Sequence, residues 1–412
     1  MNIVFIHQNF PGQYRHLAPA LLERGDTVTA IGGPTSRALE GIPLHRYDPL
    51  PAAGVPVCHP WAADLQTKCL RAEAVATLLD SLRSEGLRPD LVIGHPGWGE
   101  LLAVKDVFPE VPVLHQVEFV YQMEGADTGF DPEFAVPGWQ ERARLRLRRA
   151  PQLLAFHDLD WGLAPTAWQA STVPPAFRER VSVIHEGIDT DRIAPRPGAE
   201  IHLAKAGLTF HPGDEVVSFV ARQLEPYRGF HRFLRMLPAL QRLRPQAHVV
   251  IVGGDGVSYG QPPPHGGTWR QVLLRELAGQ IDLARLHFVG QVPHAVLHDL
   301  FRVCACHVYL TVPFVLSWSL LEAMACGAVV IGSATAPVME VIEDGVNGLL
   351  VEYFDGEALA TTIAAVLADP AGHRPLGEAA RALVMERYDL GHVCLPAQLS
   401  LVDALVRGTP PR

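Results

Sequence analysis

No apolar run in this chain of 412 residues is long enough to span a bilayer, and the amino terminus reads as a strand, not as a signal peptide. Positive charge is short. Lys and Arg number 34 against 44 Asp and Glu, and the net charge of -10 argues against a nucleic-acid binder, which needs a broad basic face. Cysteine is scarce, and Cys58, Cys69, Cys304, Cys306, Cys326 and Cys394 lack zinc or redox spacing, so they read as reduced core residues of a cytoplasmic protein. The 19 histidines show no pair at metal-ligand spacing on a helix and read as ordinary polar residues. No Asp-x-Asp stands at a strand end; Asp158-Leu-Asp160 and Asp189-Thr-Asp191 suit a helix cap or a hinge turn better. The first strand-to-helix turn holds one glycine, Gly12, in place of Gly-x-Gly-x-x-Gly, which argues against a dehydrogenase. No repeat with a period of about 20–50 residues recurs.

What is present is a globular composition, 48% hydrophobic and 19% charged, in a chain long enough for two domains. Asn2 to His7 reads as an apolar strand, a helix follows through Leu17, Leu21 and Leu22, Gly25 ends it, and Thr27 to Ile31 begins another strand. That βαβ opening predicts a parallel sheet with helices on both faces. Residues 34–60 read as a Pro/Gly-rich connection with a weak strand, and Trp61 to Leu87 as a long helix. Leu91 to Gly94 and Val111 to His115 read as buried strands ending in His95-Pro-Gly-Trp-Gly-Glu100 and His115-Gln-Val-Glu118-Phe-Val-Tyr121; ligands of open α/β sheets gather at such strand ends. A lone histidine there is more often a hydrogen-bonded structural residue than a catalyst.

Arg142, Arg144, Arg146, Arg148 and Arg149 crowd a helix over Gln140 to Ala150, which reads as a solvated face or as a contact for anionic lipid or an anionic acceptor, a weak peripheral membrane contact at most. Leu153 to Phe156, Trp161 to Pro165 and Val181 to Ile184 are expected to close the first sheet. Pro195-Arg-Pro-Gly198 reads as the linker. The second sheet is expected from Val216 to Ala221, Val249 to Val252, His287 to Gly290 and His307 to Leu310, with Val257 to Gly267 as a mobile flap. The expected division is 1–195, 196–387 and a segment 388–412 that packs back on the first domain.

The most informative stretch runs from Pro313 to Val351. Ser319 can cap a helix whose apolar face is Leu320, Leu321, Met324 and Ala325; Gly327 stops it; Val329 to Ile331 reads as a buried strand. The loop from Phe314 to Trp318 then directs its N–H groups at a helix N-terminus, a ready anion site. Taken locally, Ser319-x-x-Glu322 is a capping box, and Glu322 is as readily a cap partner as a ligand.

As a whole the stretch resembles the signature of retaining glycosyltransferases of family 4, in Glu322-Ala-Met-Ala-Cys-Gly327 and Asp344-Gly-Val-Asn-Gly-Leu-Leu-Val351. The resemblance implies the α/β GT-B fold, two Rossmann-like parallel-sheet domains facing a central cleft, and transfer of a sugar from a nucleoside diphosphate. UDP is favoured and GDP is the second choice; the acceptor is a glycan, a lipid-linked or a small molecule. It implies that Glu322 holds the donor ribose, that Val315, Leu316, Ser317 and Thr335 line the donor site, and that the loop Gly290-Gln291-Val292 borders the base. Arg222 and Arg228 stand where the family grips the donor diphosphate with Arg and Lys, and Arg keeps the charge while adding a planar fork. Both arginines are expected to cost turnover when removed, with almost no effect on melting. His115 joins them as a catalytic candidate, and Gly12, His95 and Glu118 face the acceptor; for Gly12 the plainer reading is a tight turn after Pro11. His185-Glu-Gly-Ile-Asp189 is similar to the family's Asn-Gly-Val-Asp ahead of the hinge. The family's first Glu is absent, and Phe314 stands in its place. No cofactor or metal is expected. A nucleotide-sugar hydrolase or epimerase, or a non-catalytic nucleotide-sugar-binding protein, is the alternative.

Overall fold

The computed structural model describes residues 1–49, 58–122, 124–204 and 206–409. The chain forms two compact units, 1–187 with 391–412, and 188–390.

Short, mostly apolar runs form the strands of the first unit: β1 (Asn2–His7), β2 (Thr27–Gly32), β3 (Leu44–Arg46), β4 (Leu91–Gly94), β5 (Val113–Gln116), β6 (Trp161–Ala164) and β7 (Val181–Val183). They pair in parallel in the order β3-β2-β1-β4-β5-β6-β7. Ile3 and Phe5 face a core shared with Leu17 and Leu21 of the first helix and with Leu401 and Val402 of the last, Leu395–Val406. Val4 and Ile6 face the opposite core, against Val75 and Leu79 of the helix Ala63–Ser84. Alternate residues of a parallel strand thus serve two helical layers.

The second unit contains β8 (Ile201–Leu203) and β9 (Leu208–Phe210), an antiparallel pair, then β10 (Val216–Gln223), β11 (His248–Gly254), β12 (Leu286–Gly290), β13 (Cys306–Tyr309), β14 (Val330–Ser333) and β15 (Leu349–Val351). The last six pair in parallel in the order β12-β11-β10-β13-β14-β15. Both sheets therefore reverse beside their own first strand, between β1 and β4 and between β10 and β13. In an open α/β sheet that reversal marks the ligand crevice, outside the carboxyl ends of the strands.

Several expectations need correction. Leu153–Phe156 is not a strand, because the helix Trp139–His157 runs through Pro151 and carries it. The unit boundary falls ahead of Pro195: Ile188, Ile193 and Ala199 are packed in the second core, and Ile188 pairs with Asp389. Part of the connection expected over 34–60 lies outside the described residues. The Val257–Gly267 excursion is held at its start, since the Glu225 carboxylate, 1% exposed, accepts bonds from the N–H groups of Ser258 (3.0 Å), Tyr259 (3.3 Å) and Gly260 (2.9 Å). Among the described residues, no helix is long and apolar enough to cross a membrane.

Candidate active site

In the first unit, the loops after β1, β4 and β5 converge. Gly12 has φ +48, and a Cβ there would lie well inside van der Waals contact of the His7 ring, so the loop can close on His7 only with glycine. His7 Nδ1 accepts the Asn9 N–H at 3.0 Å, which leaves the proton on Nε2, 2.6 Å from the Gln13 amide oxygen. The Gln13 amide nitrogen in turn donates to Glu118. From the other side His95 accepts the Gly97 N–H on Nδ1 at 3.0 Å and turns Nε2 toward Glu118, 3.6 Å away. The His95 ring stacks on Trp98 with centroids 3.8 Å apart, and His7 meets the same indole edge-on at 4.7 Å.

Burial, partly offset by the Gln13 bond, pushes His7 down to about 4, so it is neutral near pH 7. For Glu118, desolvation opposes ionisation, but His95 and Gln13 more than offset it and hold the carboxyl below its ordinary range. The unit thus presents a carboxylate that accepts a bond from Gln13 and faces His95 beside an indole face.

Gly12, His95 and Glu118 are brought together. His115 lies in β5 beside the strand that leads to His95, whose charge it feels. It is 1% exposed, its ring lies 6.4 Å from Phe156 on the helix side of the sheet, and burial drives it down to about 3. A neutral imidazole this deeply buried packs as part of the core. His7, Gln13 and Trp98 were missed; the signal for His7 was a polar residue ending an apolar strand at its carboxyl end.

In the second unit, β10 leads through Glu225 and the turn Pro226–Arg228 into the helix Phe230–Leu243. Gly229, at φ +66, sits so tightly on Leu310 that a Cβ would overlap it, and this closeness pins the turn against the exit of β13. Arg228, 8% exposed, donates through Nη1 to Val315 O (2.9 Å), Thr311 Oγ1 (3.0 Å) and Tyr309 Oη (3.3 Å). Its guanidinium carbon lies 5.6 Å from the centre of the Phe314 ring and 5.7 Å from that of Tyr259. Phe314 is itself wedged edge-to-face against Tyr227 and Tyr259. All these partners are neutral, and among the described residues no carboxylate pairs with Arg228. Arg222 is exposed at the end of β10.

The loop Val315-Leu316-Ser317 is half-buried, and Ser317, not Ser319, caps the helix Trp318–Ala325: its hydroxyl accepts the Ser319 N–H at 3.3 Å, and its own N–H is spent on Tyr309 at 2.8 Å. Glu322 therefore lies in the second turn and cannot complete a capping box. It is 3% exposed and faces His298, 3.6 Å away on the helix His294–Val303. Gly290 ends β12 at φ +73, Gln291 is exposed, and Val292 packs on the core just ahead of that helix. Thr335 is buried at the exit of β14, its hydroxyl 3.3 Å from Ser333 Oγ. His294 and His298 are four residues apart on one helix, which corrects the reading that no histidine pair has metal-ligand spacing.

These two parallel sheets define a GT-B fold. HepE of Anabaena, solved in complex with UDP, superposes with a TM-score of 0.68 at 20% identity, over 98% of this chain and 100% of that one. Residues 24–193 match the glycosyl transferase family 4 group and residues 205–383 match glycosyl transferases group 1, so both halves of the chain are glycosyltransferase-like. D-inositol 3-phosphate glycosyltransferase of Mycolicibacterium gilvum is 30% identical over 327 residues, 76% of this chain and 63% of that protein. The GDP-mannose-dependent alpha-(1-6)-phosphatidylinositol monomannoside mannosyltransferase of Mycolicibacterium smegmatis is 26% identical over 261 residues, 56% of this chain and 64% of the relative. Both matches span less than two thirds of the relative's length.

Proposed function

We propose that the chain is a retaining glycosyltransferase that moves a sugar from a nucleoside diphosphate to a glycan, lipid-linked or small-molecule acceptor. The observation that carries this reading is Arg228: a nearly buried guanidinium with only neutral partners. A buried cation without a counter-anion is costly, and the deficit is met when an anionic ligand binds. Phe314 holds the guanidinium by its ring face and leaves the charge uncompensated. The donor diphosphate then lies between Arg228, Arg222 and the N-terminus of the helix Trp318–Ala325, and Glu322 receives the ribose hydroxyls. UDP is the favoured nucleotide, because HepE was solved with UDP and with UDP-glucose; the mannosyltransferase relative keeps GDP in view.

In this reading the bond from the anomeric carbon to the diphosphate oxygen breaks, a bond to the acceptor oxygen forms on the same face, and the departing diphosphate takes the acceptor's proton. No protein nucleophile is needed, which suits Phe314 at the place of a carboxylate. Cationic donors stabilise the charge growing on the leaving group, so no metal is required and activity persists in EDTA. Gly12, His95 and Glu118, with His7 and Gln13, form the acceptor side.

Labelled UDP- and GDP-sugars, incubated with and without an acceptor extract, test this. Label should move only when acceptor is present, with the anomeric configuration kept in the first product by NMR. Release to water without acceptor would mean a hydrolase. Tight nucleotide binding with neither outcome would mean a binding protein, the alternative that Phe314 favours.

A further inference from the structure

Glu322 faces more than a nucleotide could use. His294 stands at the first position of the helix His294–Val303, and His298 lies one turn on, so both rings project from one face with centroids 6.0 Å apart. One ring nitrogen from each, together with a Glu322 carboxylate oxygen, all lie within 4.8 Å of one another. His298 Nε2 is buried and makes no hydrogen bond, and at 3.6 Å from Glu322 Oε2 it is beyond hydrogen-bond reach. An orphaned buried nitrogen normally costs free energy. A tetrahedral Zn2+ with bonds of about 2.0 Å separates its ligand atoms by about 3.3 Å, so the His298–Glu322 spacing is already within a few tenths of an ångström of that. His294 is exposed, and its side chain can swing to close the remainder.

We infer that His294, His298 and Glu322 form a binding site for a late first-row divalent cation such as Zn2+. Two imidazoles and one carboxylate select Zn2+, Co2+ or Ni2+ over Mg2+ and Ca2+, which want all-oxygen shells. Three protein ligands leave a fourth position for water. The cation and the ribose diol compete for the same carboxylate, a consequence that rests on the ribose role proposed above for Glu322; the cation site itself does not. Metal is then an inhibitor and not a cofactor, and a chelator protects activity.

The test is calorimetric titration of Zn2+ into the full chain in nucleotide-free buffer, with Co2+ added in parallel to read the visible band of a tetrahedral site. One ion should bind per chain, and His294→Ala, His298→Ala and Glu322→Gln should each weaken it on the order of 10- to 100-fold. His294→Ala alters an exposed side chain and guards against misfolding of the buried variants. Absence of saturable one-to-one binding, or undiminished binding in His294→Ala, would overturn the site. A second arm measures the rise in melting temperature given by UDP and by GDP, with and without Zn2+. Zn2+ should shrink that rise more in the wild type than in His294→Ala, which shares any chelation of the nucleotide in solution. Equal shrinkage with intact metal binding would leave the cation site standing and remove Glu322 from the nucleotide site.

Discussion

Replacing Arg228 with alanine should damage catalysis and folding together, although the resemblance alone pointed to catalysis only. The change deletes bonds from a charged donor to the Val315 carbonyl at 2.9 Å and the Thr311 hydroxyl at 3.0 Å, and a longer one to Tyr309 at 3.3 Å. Bonds of this type are worth about 1.5–3 kcal/mol each, so the two shorter ones alone give a gross loss of about 3–6 kcal/mol. Relief of an uncompensated buried charge offsets part of it, which leaves a net destabilisation of about 1–3 kcal/mol. For a unit of this size that lowers the melting temperature by about 2–12 °C. Turnover should fall on the order of 100-fold or more if the guanidinium stabilises the departing diphosphate. The assay needs no acceptor: UDP or GDP should raise the wild-type melting temperature, by about 2.7 kcal/mol of linkage at a hundredfold excess over Kd, and this rise should nearly vanish in the variant. Arg222→Ala is the control, because an exposed side chain can lose the ligand-induced rise without moving the unliganded melt. An Arg228→Ala protein that melts like the wild type and keeps the full nucleotide-induced rise would refute the reasoning.

Gly12→Ala should destabilise the first unit by about 1–3 kcal/mol, because it combines a left-handed backbone with a methyl group driven into the His7 ring; thermal melting checks this, and a neutral result would mean the loop is free to move. Burial lowers His7 to about 4 and His115, His185 and His307 to about 3. Below about pH 6.5 the unfolded chain binds protons that the folded one refuses, so stability falls as pH drops from 6.5 toward 4, by about 1.4 kcal/mol per pH unit for each histidine. Denaturation midpoints across that window should show the slope, and His307→Asn should flatten it. Glu225→Ala releases the three N–H groups that fasten the loop at Ser258–Gly260, and amide exchange there should accelerate while exchange in β10 stays slow.

Both sheets were legible because most of their strands, β1, β2, β4 and β11 among them, are short apolar runs ending in glycine or a polar residue, and that text survives without knowledge of contacts. Leu153–Phe156 misled because Pro151 looks like a breaker, yet the helix tolerates it, and four apolar residues in a row then resemble a strand. The helix His294–Val303 was not read at all, and the spacing of His294 and His298 means nothing until that helix is in place. Arg222, Arg228 and Glu322 stand out by motif, but their environments do not. That Arg228 lacks a counter-ion, that Glu322 faces a histidine and that His115 is buried are facts of packing, set by residues far apart in the chain. The cap shifted from Ser319 to Ser317 because a Ser-x-Ser pair offers two starts, and only the bond to Tyr309 decides between them.

The last helix has a consequence for the order of synthesis. Leu401 and Val402 complete the core beneath β1, yet they leave the ribosome only after the whole of 188–390. The segment made first is thus finished last: Ile3, Phe5, Leu17 and Leu21 must wait with one apolar layer uncovered while some two hundred later residues are made. A stop codon near residue 390 would spare the unit beside it in sequence and expose the core of the unit at the opposite end. Damage from carboxyl-terminal truncation should therefore surface as aggregation of the amino-terminal half.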